Sequence, residues 1–148
     1  MSQIVLDEHL GDSEVLEPLR EWISAVRIAD LAPDETVKDD RLLQFLCRQK
    51  QPTFVTLDAG FFHKHLCDRR YCLIYCVIPH QQQYRIPGLL RQLFRLPEFK
   101  TKAARMGSVA RLNGDQVECW RLGERTRYVS RLPLKHAHSA ARMTKQTV

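Results

Sequence analysis

Apolar residues recur along this chain in two patterns that predict alternating strands and helices. Short runs rich in apolar and β-forming residues, typical of strands, cover 4–6, 25–29, 53–57 and 71–78. Helices are predicted after the turn residues Gly11-Asp12-Ser13, from Asp39-Asp40 onward, and over 61–66, 87–94 and 98–105. Such alternation is typical of an α/β domain whose mainly parallel strands are joined by right-handed crossovers.

The alternation of strands and helices stops in the last third of the chain. Two alternating runs at 108–112 and 116–121 flank Asn113-Gly114-Asp115, which predicts a β-hairpin. The segment after Leu122 has few large apolar residues and no clear periodicity, so we expect it to be mostly disordered. The sequence therefore predicts one domain over 1–122 and a basic tail over 123–148.

Charge is spread unevenly between these two parts. The net charge is +6, and residues 122–148 hold six Lys or Arg side chains against one acid. A basic tail beside a nearly neutral body suits an anionic partner such as nucleic acid. A solvent-exposed terminus without a binding role would have the same composition.

Other features of the sequence bear on the cellular location of the protein and on its cysteines. No stretch approaches the roughly 20 apolar residues of a membrane span, and the N-terminus has no secretory pattern, so we expect a cytoplasmic protein without a membrane partner. The five cysteines are scattered, which does not resemble a disulfide framework.

Acidic residues follow or precede the predicted strands in a regular way. Asp7 and Glu8 end the first strand, and Asp58 ends the third. Asp39 and Asp40 begin the helix that leads into the third strand, and such a helix starts on the carboxyl side of a parallel sheet. Ligands bind at that side in open α/β sheets, so all five acids are expected to converge there.

Clustered carboxylates favour a divalent cation, because the cation removes their mutual repulsion. Mg²⁺ and Mn²⁺ prefer oxygen ligands, and such a site can polarise a phosphodiester and activate water. The expected metal ligands are Asp7, Glu8, Asp39, Asp40 and Asp58. Each acid also has a plain structural explanation, such as a helix cap at Asp39 or Asp40 or a turn at Asp58.

Three segments resemble the PIN domain superfamily, most closely the short PIN-like proteins related to the VapC ribonuclease toxins. These segments are Ile4–Leu10, Asp39–Leu43 and Phe54–Phe61. In that family an Asp ends the first strand, a second Asp lies three residues before an aliphatic helix position, and a third follows Thr-x. Asp7, Asp39 and Asp58 match these three positions.

The resemblance covers residues 3–122 and implies a three-layer sandwich with a mainly parallel central sheet. It implies Mg²⁺- or Mn²⁺-dependent hydrolysis of RNA, with Asp7, Asp39 and Asp58 as the catalytic residues. It further implies a toxin-like role, a cognate antitoxin and a possible homodimer. The residues expected to contact RNA are Thr56, His9, Lys64, Arg69 and Arg70.

Two departures from the family keep a second reading open. The additional helix acid of PIN nucleases has no clean equivalent here, with Asp30, Asp40 or Glu8 as substitutes, and His9 stands where relatives often have Asn. A catalytically inactive PIN-like module that binds RNA or a partner protein is therefore the alternative.

A zinc site is a further alternative, since nitrogen and sulfur ligands suit Zn²⁺. Its candidate ligands are His63, His65, Cys67, Cys72 and Cys76.

Overall fold

The computed structural model describes residues 3–31 and 39–132, with only the backbone of Asp39 and Asp40. The strands are β1 Ile4–Leu6, β2 Ala25–Arg27, β3 Thr53–Thr56, β4 Cys72–Cys76, β5 Ser108–Asn113, β6 Gln116–Arg121 and β7 Tyr128–Arg131. The α-helices are α1 Glu17–Arg20, α2 Ile28–Leu31, α3 Asp39–Cys47, α4 Ile86–Leu93 and α5 Lys102–Arg105. A π-helical turn covers Asp12–Leu16, and 3₁₀ turns cover Ala59–Phe61, Lys64–Leu66, His80–Arg85 and Pro97–Phe99.

The seven strands of the described residues form one sheet in the order β2-β1-β3-β4-β5-β6-β7. The first five strands in that order pair in parallel, whereas β6 and β7 pair antiparallel. The α/β class is therefore confirmed, but the expectation of a mainly parallel sheet is corrected to a mixed sheet. The predicted hairpin is confirmed as β5–β6, where Gly114 occupies the turn with a φ of 63°.

The short first strand is buried on both sides. Ile4 and Leu6 pack into one hydrophobic cluster, and Val5 packs into a second cluster that also contains Phe54. A strand covered on both faces needs apolar side chains at every position, which explains the run Ile-Val-Leu. Burial of each such side chain stabilises the fold by about 1.5–3 kcal/mol.

The second strand is shorter than the sequence predicts. The pattern at 25–29 favours a strand throughout, but Ile28 begins α2 and is buried there. Alternating and helical spacings cannot be distinguished over so few residues, and the helical choice lets Ile28 join the cluster around Val5.

Strand β7 corrects the prediction of disorder after Leu122. Residues 128–131 pair with β6, Tyr128 packs against the cluster around Ile4, and Leu132 is buried. The backbone N–H of Leu132 donates to the carbonyl of Asp115 at 2.7 Å. Residues 133–148 of the predicted tail lie outside the described part of the chain.

A buried arginine joins the starts of β1 and β3. Arg105 is 1% exposed and donates to Thr53 Oγ1 at 3.0 Å, Phe99 O at 3.0 Å and Gln3 Oε1 at 2.6 Å. Its guanidinium carbon also lies 4.1 Å from the ring centroid of Phe94. The amino ends of these two strands are thus held together by one side chain.

Among the described residues, no helix has the length and apolar character to cross a membrane.

Candidate active site at the carboxyl edge

The carboxyl edge is defined here as the edge at which the parallel strands β1 to β5 end. β1 and β3 are neighbours in parallel register, with Leu6 beside Val55, and the backbone N–H of Asp7 donates to Val55 O at 3.0 Å. Asp7 follows β1 directly, and Asp58 follows β3 after one intervening residue, Leu57. The structure therefore brings both predicted acids to the same edge, on adjacent strand ends.

One hydroxyl group connects these two acids. Thr56 is fully buried, and its Oγ1 donates to Asp7 Oδ2 at 2.6 Å. The same oxygen accepts from the backbone N–H of Asp58 at 3.0 Å. Because the side chain of Thr56 contacts both residues, it fixes the orientation of the Asp7 carboxylate relative to the turn that carries Asp58.

The turn after β3 is stabilised by a hydrogen bond at its start and by a buried side chain at its end. The Asp58 carboxylate caps the turn Ala59–Phe61 by accepting from the backbone N–H of Gly60 at 2.8 Å, a contact that stabilises a helix start by about 1 kcal/mol. Phe61 is buried, with its ring 5.3 Å from that of Phe54 in an edge-to-face contact. The turn is thus anchored to the core while Asp58 remains exposed to solvent.

The loop after β1 is equally ordered. Asp7 Oδ1 accepts from the backbone N–H of Glu8 at 2.8 Å, and Asp7 O accepts from Leu10 at 3.1 Å. Leu10 is buried in the core. These contacts hold Asp7 half-buried at the end of the strand.

Two residues after β4 support this loop and were not predicted from the sequence. Gln83 is 2% exposed and accepts from the backbone N–H of Gly11 at 2.6 Å. His80 Nε2 lies 3.1 Å from the carbonyl oxygen of His9. The rule that strand ends gather at one edge would have drawn attention to His80, whereas nothing in the sequence pattern distinguishes Gln83.

The charges around the two aspartates leave them without a cationic partner. Within residues 3–31 and 39–132, neither Asp7 nor Asp58 forms an ion pair with Lys or Arg. The neighbouring Arg27 is instead paired with Asp12 at 3.3 Å and with Asp30 at 3.5 Å. Asp30, one substitute for the additional helix acid, is therefore already engaged.

The third predicted acid comes from α3. This helix begins at Asp39 and leads into β3, so its first residues lie towards the carboxyl edge. The side chains of Asp39 and Asp40 lie outside the described part of the structure. Their proposed roles in catalysis and metal binding therefore stay predictions.

The remaining loop residues are solvent-exposed. Glu8 and His9 are exposed, with Glu8 Oε1 3.8 Å from His9 Nε2. In the described residues, no three side chains of His, Cys, Asp or Glu form a group arranged to hold a metal ion. Asp7 and Asp58 thus form a pair of carboxylates and not a complete metal cage.

The predicted RNA-contacting cations do not lie at this edge. Arg69 and Arg70 come immediately before β4, whose first residue donates to Pro52 O at the start of β3, so they lie at the amino edge. Arg70 is also paired with Asp68 at 2.8 Å, and Lys64 Nζ donates to Arg125 O at 3.1 Å. The crossover from β3 to β4 carries these residues away from the acids.

The zinc alternative is not supported by the geometry. Cys72 and Cys76 are buried in the cluster around Ile4, whereas Cys67 packs against the cluster on the other side. Burial raises the pKa of both buried thiols to about 12, which disfavours the thiolate that zinc requires.

Comparisons of the chain with protein-family models, with curated proteins and with solved structures found no match.

Proposed function

We propose that this protein is a PIN-like, metal-dependent endoribonuclease in which Asp7 and Asp58 form the centre of the active site. The observation that supports this most directly is the pair of carboxylates on adjacent strand ends, linked through the hydroxyl of Thr56. An acid whose role is to form a surface ion pair would have a Lys or Arg side chain beside it. These two have none in the described part of the chain.

The residues at this edge fit Mg²⁺ or Mn²⁺. Mg²⁺ is usually bound by one or two protein carboxylates, with waters and substrate phosphates completing its coordination. Asp7 and Asp58 would supply those carboxylates, and Asp39 at the start of α3 is the expected third ligand. The bound ion would polarise the scissile phosphate and favour ionisation of the attacking water.

The protein's own contribution would be orientation. Each Asp7 oxygen accepts one hydrogen bond, from Glu8 N or Thr56 Oγ1, which leaves a further lone pair on each oxygen for a ligand. Asp58 has one oxygen engaged by Gly60 N and projects into solvent, where a substrate can approach. Preorganised carboxylates of this kind reduce the cost of assembling the site on each turnover.

The decisive experiment compares RNA cleavage by the wild type, Asp7→Asn and Asp58→Asn in Mn²⁺. Each substitution keeps the shape of the side chain but removes its charge. We expect a loss of about 100-fold or more in rate, because several kcal/mol of charge stabilisation depend on the metal. Chelation with EDTA should abolish the wild-type activity.

A matched control is Asp12→Asn, which removes a carboxylate at the same edge that is paired with Arg27. This variant should cleave like the wild type. If all four proteins cleave equally, the activity belongs to a contaminant and the proposal is wrong.

The second candidate function is a catalytically inactive module that binds RNA or a partner protein. It is favoured by the local hydrogen bonds that both carboxylates accept, Asp7 from the backbone N–H of Glu8 and Asp58 from that of Gly60, because a purely structural turn would also make them. RNA binding without metal-dependent cleavage would select this function. The toxin-like role, the antitoxin and the homodimer stay predictions of the resemblance.

A further inference from the structure

A groove lies at the amino edge, on the opposite end of the strands from Asp7 and Asp58. One wall is the turn Lys64–Leu66, and the other is the segment that follows β6, from Arg121 to Arg125. Arg121 pairs with Ser108, the first residue of β5, which places the groove at the amino ends. Its volume is about 590 Å³. We call it the basic groove and define it by Lys64, His65, Arg121 and Arg125.

Two cations of the basic groove, Lys64 and Arg121, are held in place by neutral groups. Lys64 Nζ donates to Arg125 O at 3.1 Å and lies 5.5 Å from the ring centroid of Trp120. Arg121 Nη2 donates to Ala104 O at 2.7 Å. These contacts restrict the side chains without neutralising their charge, so ordering them costs a ligand little entropy.

Positive charge exceeds negative charge in the groove. Lys64, Arg121 and Arg125 line it, and of the acids in the described part of the chain Glu124 alone lines it. Among the described residues, none of these three cations forms an ion pair. The nearby Arg127 is different, since it is paired with Glu118 at 2.9 Å.

The positive charge continues along the amino edge beyond the groove. Arg69 precedes β4, and Arg48 and Lys50 precede β3; all three are exposed and form no ion pair within the described residues. Neighbouring strands lie about 4.8 Å apart, so from β3 to β6 these cations span about 14 Å across three strand spacings. A stripe of this shape fits an extended polyanion better than a single small anion.

Exposed aromatic rings adjoin the same stripe. His63 and His65 are both exposed, and their ring centroids lie 5.3 Å apart. Flat rings beside a positively charged groove are a common arrangement for single-stranded nucleic acid, because bases stack on the rings while the cations contact phosphates. An acidic peptide would use the cations but would gain nothing from the rings.

We propose that the basic groove and the neighbouring cations of the amino edge bind the phosphate backbone of single-stranded RNA. This inference rests on the proposed function in one respect, the choice of RNA as the ligand. It assigns RNA binding to the edge opposite the candidate active site. The RNA would therefore extend over the protein, with its cleaved bond at one edge and a distal segment held at the other.

The test measures binding of a fluorescently labelled single-stranded RNA to the full chain by anisotropy, in EDTA so that no cleavage occurs. The groove variant is Lys64→Ala with Arg125→Ala. The matched control is Arg91→Ala with Arg95→Ala, which removes the same charge from two exposed arginines of α4 and the turn after it. Salt titrations are run for all proteins, because loss of phosphate contacts lowers the salt dependence.

We expect the groove variant to bind about tenfold more weakly, with the slope of log K against log salt reduced by about 1.4, or 0.7 per lost contact. The control variant should bind like the wild type. Equal weakening in both variants, or no change in the groove variant, would overturn the inference. Equally strong competition by polyglutamate would also overturn it, since the surface would then suit an acidic protein segment.

The same experiment separates this inference from the proposed function. Asp7→Asn leaves the basic groove intact and removes only a negative charge, so it should lose cleavage without binding RNA more weakly than the wild type. RNA binding through the groove with no metal-dependent cleavage by the wild type would leave the inference standing and reject the nuclease. Cleavage that depends on Asp7, combined with unaltered RNA binding by the groove variant, would support the nuclease and reject RNA binding at the groove.

Discussion

The two ends of the β1–β3 pair differ in how a polar side chain joins the strands. At the carboxyl end, Thr56 donates to the Asp7 carboxylate, which has no cationic partner within the described chain. At the amino end, Arg105 donates to Gln3 and Thr53 and has no acidic partner among residues 3–31 and 39–132. Each end therefore carries a charge that is satisfied by neutral groups.

Exposure distinguishes the roles of these two charges. Arg105 is buried and uses all three of its nitrogens on protein acceptors. Burial lowers the pKa of its guanidinium, but an arginine side chain stays charged in proteins. Asp7 is half-buried and Asp58 is exposed, so both can still accept a ligand. The comparison indicates a structural role for Arg105 at the amino end of this strand pair, and the exposure of the two acids fits the catalytic role proposed for them at its carboxyl end.

The largest expected effect on stability comes from Arg105→Met, which removes the side chain that joins β1 and β3 at their amino ends. Methionine keeps much of the apolar stem but leaves the acceptors on Gln3, Thr53 and Phe99 without their donor. Unpaired buried acceptors cost about 1–3 kcal/mol each, and the partly exposed Gln3 can turn to water. We expect a loss of about 3 kcal/mol in the free energy of unfolding, measured by urea titration.

The control for this change is Arg95→Met on the surface, which should alter stability by no more than about 0.5 kcal/mol. A loss below about 1 kcal/mol for Arg105→Met would contradict the structural role, because it would show that the buried acceptors do not need the arginine as their donor.

Local patterns explain why the sequence predicts the carboxyl edge well. The run Ile4–Leu6 and the β-forming residues from Thr53 identify two buried strands, and parallel topology then places Asp7 and Asp58 together. No long-range information is needed beyond the rule that parallel strands end at one edge.

The amino edge depends on contacts that no local pattern contains. Arg105 and Gln3 are 102 positions apart in the sequence, so their hydrogen bond cannot be predicted from either neighbourhood. Lys64, Arg69 and Arg70 are expected to contact RNA beside the acids, but the chain runs from the carboxyl edge to the amino edge between Asp58 and β4. Strand β7 was missed for a similar reason: its four residues Tyr128–Arg131 show no apolar alternation, and the strand forms by pairing with β6.

The next largest effect is expected at the carboxyl end of the β1–β3 pair, where Thr56 orients the Asp7 carboxylate. Thr56→Val keeps the shape of the side chain but removes the donor to Asp7 and the acceptor for Asp58 N. We expect a stability loss of about 2 kcal/mol and a decrease of about tenfold or more in Mn²⁺-dependent cleavage, because the Asp7 carboxylate is free to rotate. Thr56 would thus act as a positioning residue.

The conservative variant Thr56→Ser separates positioning from stability. Serine keeps the hydroxyl and loses one buried methyl group, at a cost of about 1 kcal/mol. It should therefore be destabilised but retain cleavage close to that of the wild type. Equal cleavage by the valine and serine variants would show that the hydroxyl only supports the fold.

The smallest effect concerns the space beside Asp58. A Cβ at Gly60 would lie 3.1 Å from Asp58 Oδ1, whereas a Cβ at Gly88 in α4 would meet no atom within 4 Å. Gly60→Ala should therefore shift the Asp58 carboxylate by a few tenths of an ångström, at a stability cost below about 1 kcal/mol, and reduce cleavage by a few-fold. Gly88→Ala should stabilise its helix by up to about 1 kcal/mol without changing cleavage. Wild-type cleavage and Mn²⁺ dependence in Gly60→Ala would mean that the position of the Asp58 carboxylate is not critical, which would remove one of the two acids on which the chemistry of this edge depends.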